Sequence, residues 1–72
     1  MTPAALRSAR ELLALSQSSM AHLLGRSLRT YVRMEAGHSP IYPGDEQLVN
    51  DTVIRRKGAA VAANLGLASR AL

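Results

Sequence analysis

The sequence contains no cysteine, no phenylalanine and no tryptophan. Without cysteine there are no disulfide staples, no thiolate-ligated zinc and no cysteine nucleophile, which excludes a disulfide-built secreted miniprotein. Aromatic residues make up 3% of the chain, as Tyr31 and Tyr42 alone, so a core has to be built from aliphatic side chains. Acids are scarce as well: five against nine Lys and Arg, for a net charge of +4 and a pI near 10.8. A basic bias of that size in so small a chain favours an anionic partner. No apolar run approaches the roughly 18 residues of a membrane span. The first residues, from Met1 and Pro3 to Arg7, lack the apolar stretch of a signal peptide. The expected location is therefore cytoplasmic.

Alanine and leucine dominate what is present: twelve Ala and eleven Leu among 72 residues, both strong helix formers. At 47% apolar and 19% charged the composition is that of a globular chain and not a disordered one. The length leaves room for one domain, 1–72. A core of this size is marginal, and chains this short commonly gain stability by dimerising.

The capping residues divide the chain into helices. Thr2 and Pro3 read as an N-cap followed by proline at the first helical position, with Leu6, Ala9, Leu12 and Leu13 recurring at helical spacing as far as about Ala14. Ser16 opens a second helix, 17–24, which Gly25 closes in the left-handed conformation of a helix terminator. Ser27 opens a third, 28–36, closed the same way by Gly37. A loop with two prolines follows. Asp45 and Glu46 then begin a fourth helix that ends on Arg55, Arg56 and Lys57, the charge order favoured by the helix dipole. Its expected inward face is Leu48, Val49, Thr52 and Val53. Gly58 breaks the chain before an Ala-rich segment, 59–65, that ends at Gly66. There is no strand alternation, so the expected fold is all-α: a compact bundle of four to five short helices.

Residues 17–36 form two short capped helices joined by a tight glycine turn, the shape of a helix-turn-helix, whose second helix can lie in the DNA major groove. Its geometric demands are met here. Ala21 is small where the helices cross, Gly25 adopts a positive φ cheaply, and Met20, Leu24, Tyr31 and Met34 are spaced to pin the pair to a core. At about 100° per residue, Leu28, Val32, Arg29 and Arg33 share one half of the third helix, and Tyr31 and Met34 lie on the other. The Tyr/Met half is expected inside and the Arg half outside. An arginine fork can hold O6 and N7 of guanine, and a short apolar side chain can touch a thymine methyl.

The run Leu15, Ser16, Gln17, Ser18, Ser19, Met20, Ala21, His22, Leu23, Leu24 and Gly25, followed by Ser27, Thr30, Glu35, Ala36, Gly37 and Pro40, resembles the lambda-repressor-like (Cro/C1 or XRE-type) DNA-binding family over residues 4–43. The resemblance implies a regulator, most often a repressor, that binds a palindromic operator in double-stranded DNA as a homodimer. Short members commonly belong to phages, mobile elements, toxin–antitoxin pairs or restriction–modification control circuits. By position it places Ser27, Leu28, Arg29, Val32 and Arg33 against base edges, and Gln17 against a phosphate. The loop carrying His38, Ser39 and Tyr42 would lie along the backbone. It also implies an ion pair between Arg10 and Glu35. Two residues depart from the pattern. Arg26 stands in the turn where the family has an apolar residue or Thr, within reach of a phosphate. Tyr31 takes a core position more often held by Ile or Val, and its hydroxyl needs a partner.

Arg7 reads equally as surface or as a phosphate clamp. The C-terminal helices, 45–65, are the expected dimerisation region, with Ile54, Val61, Leu65 and Leu67 as the apolar residues a lone domain leaves uncovered. His22 and His38 are too isolated to suggest a metal site, and no nucleophile–base grouping or glycine-rich phosphate loop is visible. Neither an enzyme nor a cofactor is expected. Two rival readings stand beside DNA regulation: a protein-interaction module, such as an antitoxin or adaptor built on the same bundle, and a non-specific DNA-binding structural protein.

Overall fold

The computed structural model describes residues 1–64. Among them there are five helices and no strand: α1 (Pro3–Leu12), α2 (Gln17–Leu24), α3 (Leu28–Ala36), α4 (Pro43–Lys57) and α5 (Ala59–Asn64). No helix among the described residues is long and apolar enough to cross a membrane.

Three hydroxyl caps set the beginnings of the first three helices. The Thr2, Ser16 and Ser27 side-chain oxygens accept hydrogen bonds from the backbone N–H of Ala5, Ser19 and Thr30 at 3.0, 3.0 and 3.1 Å. Each satisfies a donor that the first helical turn leaves unpaired. α2 and α3 end as the sequence predicts, on left-handed Gly25 and Gly37. The next N–H reaches back five residues in each case, Arg26 to Ala21 and His38 to Arg33, at 2.9 and 2.8 Å.

α1 ends earlier than expected, at Leu12 and not Ala14, and it does so through the same motif without a glycine. The Leu15 N–H donates to the Arg10 carbonyl at 3.1 Å and the Ala14 N–H to the Glu11 carbonyl at 3.0 Å, which places Ala14 at φ 57°. The Arg10 guanidinium also donates to the Leu15 carbonyl at 3.2 Å, holding the reversed chain in place. A left-handed alanine costs about 1–2 kcal/mol relative to its ordinary conformations. Ala14→Gly is therefore expected to stabilise the domain by about 1 kcal/mol, read as a raised denaturation midpoint with an unchanged denaturant slope. A lowered midpoint would contradict the assigned backbone.

α1 packs on α3 and α4, α2 packs on α3 and α4, and α5 packs on α4. The shared core is aliphatic except for one tyrosine: Leu6, Ala9, Leu13, Met20, Ala21, Leu24, Tyr31, Met34, Val49, Val53 and Ala62. The four residues expected to pin α2 and α3, namely Met20, Leu24, Tyr31 and Met34, are all buried.

The expectations for α4 and α5 need three corrections. The helix starts at Pro43 and not at Asp45, with Tyr42 as N-cap. Asp45 is its third residue, and its carboxylate accepts the Tyr42 N–H at 3.0 Å. The inward stripe is Asp45, Val49, Thr52 and Val53, and Leu48 is 46% exposed. Drawing Asp45 inward turns the buried stripe away from Leu48. Ile54 and Val61, expected to form uncovered apolar surface, are half-buried against the domain's own core. Leu65 and Leu67, the other two residues of the expected dimer contact, lie outside the described residues.

Candidate nucleic-acid interface

The outward side of α3 is built by exclusion. Tyr31 and Met34 fill the core, and Glu35 is only 6% exposed. A helix that buries those three must turn the opposite arc to solvent. On that arc lie Leu28, 49% exposed, Val32, 40% exposed, and the exposed Arg29 and Arg33. Large apolar side chains left in water beside two arginines form a surface with something to bury. The only acid of α3, Glu35, points inward, so the outer face carries positive charge alone.

Glu35 is the hub that holds α3 against its neighbours. Arg10 donates to it through Nε at 2.7 Å and through Nη2 at 3.3 Å. Gln17 donates from Nε2 at 3.2 Å. The Tyr31 hydroxyl, one turn earlier on the same helix, donates to Oε2. The Arg7 Nε stands 3.7 Å from Oε1, on a side chain that is mostly exposed. The Arg10–Glu35 pair is thus formed, and the Tyr31 hydroxyl has the partner it required. Burial alone would push the Glu35 carboxyl up. Hydrogen bonds from Arg10, Tyr31 and Gln17 outweigh it and hold the group below its ordinary value. Burial first, and then the hydrogen bond to Glu35, push the Tyr31 phenol well up. At neutral pH the hub is therefore a carboxylate, a guanidinium and a neutral phenol, with every charge answered.

The other site residues fall into two groups. The Arg29 side chain is exposed and makes no hydrogen bond or ion pair among the described residues. Several other side chains are already engaged. Arg33 donates from Nε to the Ser39 hydroxyl and from Nη2 to the His38 carbonyl, both at 3.3 Å, tying the loop after α3 back onto the helix. Ser27 is exposed and spends its hydroxyl as the cap of α3. Gln17 is half-buried and turned toward Glu35. Arg26 forks onto Asp45, with three contacts of 2.9–3.1 Å, and its guanidinium lies 5.7 Å from the centroid of the Tyr42 ring. Tyr42 is 54% exposed.

Sequence reading missed the Arg26–Asp45 fork and the bond from Gln17 to Glu35. The Tyr31–Glu35 bond had a visible signal in its i, i+4 spacing on one helix. The Arg26 fork had none, because its partners are 19 residues apart. No group of His, Cys, Asp and Glu that could hold a metal ion occurs among the described residues. No family model, curated protein or solved structure matches the chain.

Proposed function

We propose that this chain is a sequence-specific DNA-binding transcriptional regulator of the helix-turn-helix type, with α3 as the helix that enters the major groove. The observation that carries the reading is the division of α3: Tyr31, Met34 and Glu35 inside, and Leu28, Arg29, Val32 and Arg33 outside. An arginine on such a face has the donor geometry for guanine and a valine or leucine the shape for a thymine methyl. His38, Ser39 and Tyr42, in the loop after α3, supply phosphate-side contacts, which position the helix without reading sequence, whereas the Gln17 amide is held by Glu35 and is left out of them. The resemblance to lambda-repressor-like regulators points the same way and adds the mode of action. A homodimer on a palindromic operator sets two such helices about 34–36 Å apart, one turn of DNA, and blocks transcription by occupying the site.

Selection from a pool of random duplexes tests this directly. The expected result is an enriched motif with two-fold symmetry, bound ~10³-fold or more above random competitor. Affinity should fall steeply between about 50 and 200 mM salt as counterions are released from phosphates. Tight binding with no enriched motif would instead make the chain a non-specific DNA-packaging protein. Absence of duplex binding at low salt would leave the protein-interaction reading.

A further inference from the structure

Arg26 lies in the turn between α2 and α3, and its guanidinium edge is closed on Asp45. Nε and Nη2 donate to Oδ1 at 3.1 and 2.9 Å, and Nη2 also reaches Oδ2 at 2.9 Å. The carboxylate is itself 3% exposed, and it also accepts the Tyr42 N–H at 3.0 Å. The same guanidinium stands over the Tyr42 ring, 5.7 Å from its centroid. One side chain therefore joins two pieces of backbone: the turn that starts α3, and the first turn of α4 with its N-cap Tyr42, where the loop 38–42 ends. At its other end that loop is tied to α3 by Arg33.

The charges of Arg26 and Asp45 cancel at any distance larger than their separation, so the pair adds little to the attraction of a polyanion. Its contribution is geometric. A guanidinium bound through two nitrogens to one carboxylate is fixed in orientation as well as position, which an ammonium is not. Resting on the DNA-binding reading above, we infer that Arg26 is a positioning residue: through Asp45 it holds α3 and the loop 38–42 as one rigid surface, and it does not itself contact a phosphate.

Arg26→Lys and Asp45→Asn separate the two roles. Lysine keeps the charge and loses the fork, and asparagine raises the net charge by one while freeing Arg26. A positioning residue predicts that both variants bind the selected duplex roughly tenfold more weakly, about 1.4 kcal/mol. In both, the slope of log affinity against log salt stays that of the unaltered protein. A phosphate contact predicts that Arg26→Lys keeps its affinity, that Asp45→Asn binds more tightly, and that Arg26→Met flattens the slope by about 0.9. Any of those three results overturns the proposal.

Amide hydrogen exchange on the DNA-free protein supplies a readout independent of binding. Arg26→Lys should speed exchange at Tyr42, and unchanged exchange there also overturns the inference. Faster exchange at Tyr42 in a protein that binds no duplex would leave the lock standing and remove the DNA reading instead. Circular dichroism at the assay temperature establishes that each variant is folded. Should Asp45→Asn unfold, Arg26→Lys decides alone, by its affinity, its slope and its exchange.

Discussion

Glu35→Ala lowers the unfolding free energy by about 3–5 kcal/mol, the cost of removing one partner from a buried ion pair. A domain of this length has roughly 4–11 kcal/mol in all, so the variant is at the edge of folding at room temperature. The physical cause lies in what remains. The Arg10 guanidinium, largely shielded from water, keeps its charge without a counter-charge. The Tyr31 hydroxyl sits in a residue with no exposed surface and loses its acceptor. Gln17 loses its bond to α3 as well. The double variant Arg10→Met with Glu35→Leu should lose much less than the sum of its parts, because it removes both charges together. Urea unfolding of the single and double variants checks this. Additive losses would show that the pair is not coupled.

The same carboxylate sets an acid limit. Burial raises the Glu35 carboxyl, but Arg10, Tyr31 and Gln17 lower it further, and the balance lies below its ordinary value of 4.5. A group with a depressed folded value contributes its full stability above the unfolded value, and loses it as pH falls through the folded one. Wild-type melting temperature should therefore drop below about pH 4.5 more steeply than that of the double variant. Equal slopes would remove Glu35 as the cause.

On the proposed DNA-binding reading, Arg29→Ala has the largest effect expected on recognition: a loss of about 1–3 kcal/mol on the selected duplex, with relaxed base choice at one position in each half-site. Arg29 and not Arg33 is chosen because the two guanidinium groups are in different situations. Arg33 is already donating to His38 and Ser39, so truncating it disturbs the loop together with any base contact. Arg29 is exposed and uncommitted among the described residues, so its truncation reports on the groove alone. A second selection with the variant checks the result. An equal loss on every sequence would assign Arg29 to phosphate, and no loss at all would move the contact surface away from α3.

The errors in reading α4 have a common origin. Leu48 reads as core because leucine at that spacing usually is, yet Asp45 occupies the inward arc and displaces it. Nothing near Asp45 in the sequence announces that Arg26 draws it inward. Ile54 and Val61 read as uncovered surface because a helical wheel treats each helix by itself, and the bundle half-buries both against the shared core. Ala14 broke the rule that left-handed terminators are glycine. The Arg10 bond to the Leu15 carbonyl helps hold a conformation that alanine alone disfavours.

Local chemistry was enough for the helices and for the two faces of α3. Caps, terminators and the 3.6-residue repeat act over four or five neighbouring residues, so Ser16, Gly25, Ser27 and Gly37 could be read where they stand. Which cations are left to meet a partner was decided only by folding. Arg26 finds its acid 19 residues away and Arg33 turns onto a loop, while the exposed Arg29 keeps its charge in water; the Arg10–Glu35 pair, 25 residues apart, was expected through the family resemblance and not through local spacing. Electrostatic pairing depends on separation in space, and until the bundle closes, separation along the chain says little about it.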